Sequence, residues 1–410
     1  LNVGSTATVS VTGSGGLTVG TMDLSDGSGT GVTSMFNASG ATGNLTLGST
    51  SADFKDSNSE EFTITFGSGT NAVYAGTVAL DNDVFTGTTG TDTLYVTEAG
   101  SGTLETTVSS FDNVQVAIST TDSDAQAVSL KNFTDVGKIT LTSGATASTA
   151  ENITLTNVGA SQAIHLKTGT NADFDGDTIT ITNATGVTGA NVTLEGLIAL
   201  DSGGVGITTN AGTVDITDTI AGSDGFFENG TVTLAGSAST SKVTGVTVSG
   251  GGASSSSATA TFTLAGTSNV DVTSINASAL NSNLDISGIT TASSADITMG
   301  ATGTTVTIAL ADGVRDAVDI DGGDGTDTLV MVDLVNTAYR PGLTNLETLD
   351  LDLAATMGGA GSLDLTDAAS VSTIQLDLDS GDQNFTVTGA ANSSYVLEAT
   401  MAATTDLLTL

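Results

Sequence analysis

The 410-residue sequence predicts an all-β protein, either an elongated β-solenoid of the parallel β-helix or β-roll kind or β-sandwich modules, with Gly- and Asp-rich turns. Three observations carry this. Apolar residues recur at every second position, which turns one side of each segment to a core and the other to solvent. No stretch sustains apolar residues at i, i+3, i+4 and i+7 behind a cap, so helices are not expected. Short apolar runs return roughly every ten residues between clusters of Gly, Asn, Asp and Ser, a spacing that suits a sandwich or a solenoid.

In chain order, the alternating runs are Thr6–Val11, Phe62–Phe66, Thr178–Thr182, Thr231–Leu234 and Thr304–Leu310. Their inner positions are mostly β-branched or aromatic residues, which favour a pleated, half-buried surface. A second pattern recurs as Phe111-Asp112-Asn113-Val114-Gln115-Val116, Phe133-Thr134-Asp135-Val136-Gly137-Lys138-Ile139 and Leu343-Thr344-Asn345-Leu346-Glu347-Thr348-Leu349. Two of these copies follow a Gly-x-Asp-Thr-Leu turn, so a turn and two strands form a reused unit. Such self-similarity favours the solenoid. Gly250–Ser257 has no large side chain and reads as a linker, which divides the chain into 1–85, 86–249 and 258–410.

The charge balance is extreme, with 45 acidic against 7 basic residues and a formal net charge of -38. Electrostatics therefore disfavours nucleic acid and anionic lipid as partners and favours divalent cations. Most of the acid is Asp, which prefers turns and cation-binding loops to helix surfaces. Cysteine is absent, so disulfides cannot staple the fold. No apolar run reaches the roughly 18 residues of a membrane-spanning helix, and no signal-peptide pattern opens the chain.

The motif with the most chemical content is Gly322-Gly323-Asp324-Gly325-Thr326-Asp327-Thr328-Leu329-Val330, preceded by Asp319-Ile320-Asp321. It fits the calcium nonapeptide G-G-x-G-x-D-x-U-x, in which glycines permit positive φ and aspartates supply hard oxygen ligands. Candidate ligands are Asp319, Asp321, Gly323, Asp324 and Asp327. A weaker copy at Gly87–Tyr95 adds Asp92. Asn171–Asp177 opens like an EF-hand loop and adds Asp173, Asp175 and Asp177, but Thr182 stands where a bidentate Glu belongs, leaving a calcium loop or a solvated turn. The single histidine, His165, lies in a strand-like run between Ile164 and Leu166 and reads as structural. With no Cys nucleophile, no multi-histidine metal site and only two arginines, catalysis is not expected.

These turns, the Asn-Leu-Glu-Thr-Leu-Asp-Leu strand at 345–351, the low lysine and the missing cysteine together resemble RTX-type bacterial surface-layer proteins. The resemblance implies a secreted, cell-surface subunit that binds Ca2+ and assembles with copies of itself, with cell-surface polysaccharide as a further partner. It departs from tandem RTX arrays in having isolated nonapeptides, which puts a full β-roll in question. An adhesin or matrix-binding module of a larger RTX protein is the alternative. An RTX polysaccharide lyase or epimerase would need clustered Arg, Lys, His or Tyr. Halophilic adaptation would account for the acidity alone.

Overall fold

The computed structural model describes residues 8–21, 33–49, 61–76, 83–97, 103–104, 106–118, 126–143, 152–167, 177–195, 204–219, 231–250, 261–289, 291–300, 305–309, 318–334, 338–353, 360–378, 384–389, 393–397 and 407–409. Every regular element among them is a strand. The strands pair in parallel, each with a strand one coil away, so the fold is a parallel β-solenoid rather than an antiparallel sandwich. Parallel neighbours need a crossover, and here the rest of each coil supplies it.

The chain divides into two units, Leu1–Ile198 and Ala199–Leu410. In the first, ladder A stacks Thr8–Gly13, Thr33–Ala41, Glu61–Thr65, Val84–Thr86, Thr107–Ser109 and Phe133–Thr134. Ladder B stacks Leu17–Val19, Leu45–Leu47, Thr70–Gly76, Thr91–Thr97, Asn113–Ile118, Lys138–Ser143, Ala163–Lys167 and Gly189–Glu195. Ladder C stacks Thr103–Leu104, Gln126–Ser129, Asn152–Val158 and Thr178–Asn183. Early coils use A and B, later ones B and C. Around Thr103–Ser143 all three sheets share a coil.

The second unit repeats this logic. Ladder D runs from Val205–Thr209 through Thr328–Leu334 and Thr348–Leu353 to Ser394–Leu397. Ladder E stacks Thr213–Asp218, Val243–Gly250, Val270–Leu280, Thr291–Thr298, Asp319–Asp321 and Gly342–Thr344. Ladder F enters with Ala338–Tyr339 and continues through Ala360–Asp364, Asn384–Thr388 and Leu407–Thr409.

Register turns the period-two pattern into continuous apolar columns. Val73, Leu94, Val114, Ile139, Ile164 and Val192 are partners in successive coils of ladder B, and all are buried. In ladder D the column is Phe262, Leu284, Val306, Leu329, Leu349 and Ile374. Burying each such side chain contributes about 1.5–3 kcal/mol, so the columns dominate the stabilising terms. Phe62 and Phe85 meet edge-to-face at 5.4 Å, as do Phe66 and Phe111 at 5.8 Å.

Coil corners follow a local rule. Ser110, Asp135, Asn157, Asn269 and Asn345 are the non-glycine residues with positive φ among those described, and each precedes a buried apolar residue: Phe111, Val136, Val158, Val270 or Leu346. Small polar residues tolerate the left-handed conformation, which turns the chain and sends the next side chain inward. This shifts the frame of the recurring pattern. Asn113 pairs with Lys138, so Ser110-Phe111 matches Asp135-Val136, and Phe111 is not the counterpart of Phe133.

The expected boundaries do not coincide with the two units. Glu61–Thr65 pairs with Val84–Thr86 and Thr70–Gly76 with Thr91–Thr97, so residue 85 lies within continuous ladders. Thr231–Gly236 pairs with Thr261–Gly266 across the glycine- and serine-rich run. Gly250 ends a strand, and 251–257 lie outside the described residues.

Candidate functional site

The two Gly-x-Asp turns occupy equivalent places in their units. Gly87–Tyr95 leads from Val84–Thr86 into Thr91–Thr97, and Gly322–Val330 leads from Asp319–Asp321 into Thr328–Leu334. Gly87 N–H donates to Ser109 O at 2.8 Å and Gly322 N–H to Thr344 O at 2.9 Å. A Cβ at Gly87 would run into the carbonyl of Ser110, and one at Gly322 into that of Asn345. Both carbonyls belong to left-handed corner residues of the next coil. Glycine is required here by close backbone approach, not by φ.

The aspartate that closes each turn is fully buried: Asp92 and Asp327 are both 0% exposed. Asp92 N–H donates to Asp112 Oδ2 at 2.8 Å, and Asp327 N–H to Glu347 Oε2 at 2.8 Å. In return, Asp112 N–H donates to Asp92 O at 3.1 Å, and Thr348 N–H to Asp327 O at 3.0 Å. Each turn is thus clamped to the coil that follows by an acidic side chain twenty residues on.

The interiors of the turns differ. In the first, the Asp92 carboxylate accepts from Asn71 Nδ2 at 2.6 Å and from Thr88 N–H at 2.8 Å. Asn71 also donates to Gly67 O and Gly69 O and accepts from Leu45 N–H, so polar contacts link three coils. Burial pushes the Asp92 carboxyl above the ordinary range, only partly offset by the bonds from Asn71 and Thr88. In the second, Gly323 and Gly325 have φ of 88° and 135°, where Thr88 and Gly90 keep ordinary φ. Left-handed glycines redirect the peptide groups of this loop.

The acidic side chains around Gly322 do not converge. Asp321 Oδ1 accepts from Gly323 N–H at 3.1 Å and from Asn345 Nδ2 at 2.9 Å. Asp319 lies against Gly342, where a Cβ would strike its carboxylate. Asp324 is exposed, and Asp327 is inside the coil. Among the described residues no three His, Cys, Asp or Glu form a group that could hold a metal ion. The fit to a cage of carboxylates is therefore poor. Asp173 and Asp175 lie outside the described residues, and Asp177 is buried immediately before Thr178–Asn183.

His165 points outward from ladder B. Its Nδ1 lies 2.9 Å from Glu195 Oε2, which also accepts from Lys138 Nζ at 3.0 Å. Burial pushes the imidazole below its ordinary value, with the neighbouring Lys138 charge acting in the same sense and the hydrogen bond to Glu195 opposing them. Burial alone would raise Glu195, but its bonds to Lys138 and His165 hold it below its ordinary value. Along the same face Tyr74 and Tyr95 stack at 4.4 Å with an interplanar angle of 6°. Register joins Tyr74, Tyr95, Gln115, Thr140, His165 and Thr193 into one outward row.

A groove of about 850 Å³ lies in the second unit, over the end of ladder E. Asp296, Thr298, Asp319, Asp321, Arg340 and Asp367 line it. Asp296 and Asp319 are direct cross-strand partners. Arg340 donates to Asp367 at 3.0 Å.

Sequence reasoning did not assign roles to Asp112, Glu347, Glu195 or the tyrosine pair. Asp112 and Glu347 were signalled by their spacing of one coil from Asp92 and Asp327. The Lys138–Glu195–His165 group unites residues up to 57 apart and left no local signal. No family profile, no curated protein and no solved structure matches this chain. No helix among the described residues is long and apolar enough to cross a membrane.

Proposed function

We propose that this chain is a structural subunit of a calcium-dependent extracellular surface layer, joining copies of itself into a sheet or sheath. The observation that carries the reading is the periodic wall each ladder presents. Outward side chains recur in register at the strand spacing of ~4.8 Å, as in Thr154 over Thr180 or Thr263, Asp285 and Thr307, which gives a repetitive surface for lateral contact. Buried columns hold that wall rigid. Its neighbours are acidic, so close approach of two copies with a net charge of -38 each requires counter-charge.

Calcium supplies that charge in this reading. The support is the contrast between the turns: the nonapeptide at Gly322 has two left-handed glycines and an exposed Asp324 that the coil at Gly87 manages without. His165 is held by Glu195 and serves packing on the wall rather than proton transfer. The test is a calcium titration of the purified chain followed by light scattering. Growth of large particles above a threshold calcium concentration, reversed by chelator, supports the reading. A chain that stays monomeric throughout and is retained on immobilised cell-surface polysaccharide is an adhesin module instead.

A further inference from the structure

We infer that the outward face of ladder B docks on the acidic groove of a second copy's ladder E, an interaction that rests on the self-assembly reading and specifies its partner surfaces. The first half is a local reversal of charge. Across Thr70–Gly76 to Gly189–Glu195, the described outward positions include Lys138, Lys167 and His165 but only one carboxylate, Glu195. That places two of the chain's seven Lys and Arg, its only His and two of its four Tyr on one face of a chain with 45 acidic residues. Lys138 is engaged with Glu195, whereas the neighbouring Lys167 is exposed.

The second half is the groove itself. Asp296, Asp319, Asp321 and Asp367 outnumber its single cation, Arg340, and like charges directly across a strand pair are destabilising unless countered. Lys167, exposed on a face where Glu195 already offsets Lys138, and the acidic groove are complementary in sign. The two surfaces are different patches, one in each unit. Such a heterologous contact is not self-complementary, and repeated operation builds a ring where the rotation closes and an open filament where it does not. The neighbouring copy, rather than a polysaccharide, is the occupant because both halves of the complementarity are present in the same chain.

The test compares Lys167→Glu, Asp296→Lys and their equimolar mixture with the parent, by sedimentation velocity at low ionic strength in calcium. Both positions are exposed, and melting curves check that each variant folds; Lys167→Gln and Asp296→Asn replace any that does not. Each variant alone is expected to associate at least about tenfold more weakly than the parent, with the mixture recovering assembly because the reversed charges now meet. Variants that assemble like the parent overturn the docking while leaving a surface-layer function intact. So does Lys167→Glu that assembles normally yet loses retention on polygalacturonate, which would make the face a polysaccharide surface. A parent that never assembles overturns the functional reading as well.

Discussion

The coils that begin at Gly87 and Gly322 use the same start and the same finish to reach different loops. Both open on a glycine pressed against a left-handed corner, and both close on a buried aspartate whose N–H is bound by an acid twenty residues later. Both also stand one strand ahead of a new sheet: Thr103–Leu104 founds ladder C, and Ala338–Tyr339 founds ladder F. The unit reused in the sequence is thus associated with a change in the coil's cross-section. Because Thr88 and Gly90 accomplish this without positive φ, Gly323 and Gly325 exceed what the fold requires. The motif's outer positions belong to architecture, and a ligand reading must rest on its inner ones.

The largest effect should come from the shared start. Gly87→Val and Gly322→Val each force a side chain into a backbone carbonyl, and each should destabilise its unit by about 3 kcal/mol or more. Thermal melts check this, and a valine tolerated at only one site would break the equivalence of the coils. Next comes the clamp. Glu347→Ala and Asp112→Ala each leave the N–H of a buried aspartate without its acceptor, at a cost of about 1–3 kcal/mol in urea unfolding.

A smaller effect depends on pH. The folded state holds the Asp92 carboxyl above its unfolded value, so its contribution is full below about pH 3.9 and is lost as pH rises through the raised value. Asp92→Asn should therefore flatten the stability profile just above pH 3.9, even though it loses an acceptor for Asn71 or Thr88. An unchanged profile would show that the Asn71 and Thr88 bonds cancel the effect of burial. The smallest effect on stability belongs to the inner loop. Asp324→Asn is exposed and should shift stability in chelator by less than about 0.5 kcal/mol, yet raise the calcium needed for assembly. If neither changes, Asp324 is only a solvated turn residue.

Much of the fold was legible because each strand is buried on one side, and alternation such as Thr178-Ile179-Thr180-Ile181 records that directly. The repeat around Ser110, Asp135 and Asn345 was also visible, but its frame was not. Phe111 and Phe133 look alike as letters, whereas φ at Ser110 and Asp135 fixes the true alignment. The site was less legible. Asp321 and Asp327 match ligand positions by spelling, yet one carboxylate is engaged by Gly323 and Asn345 and the other is enclosed. Contacts such as Lys138–Glu195 depend on how many residues each coil takes before returning to the same face. Local pattern does not encode that.

In the surface-layer reading these coils build walls that meet other copies of the chain. Electron microscopy of the purified protein, once in excess calcium and once in chelator, tests it most directly. Ordered two-dimensional sheets or tubes are expected with calcium, and dispersed particles without it. Single particles under both conditions, at concentrations where the chain is folded, would contradict that reading.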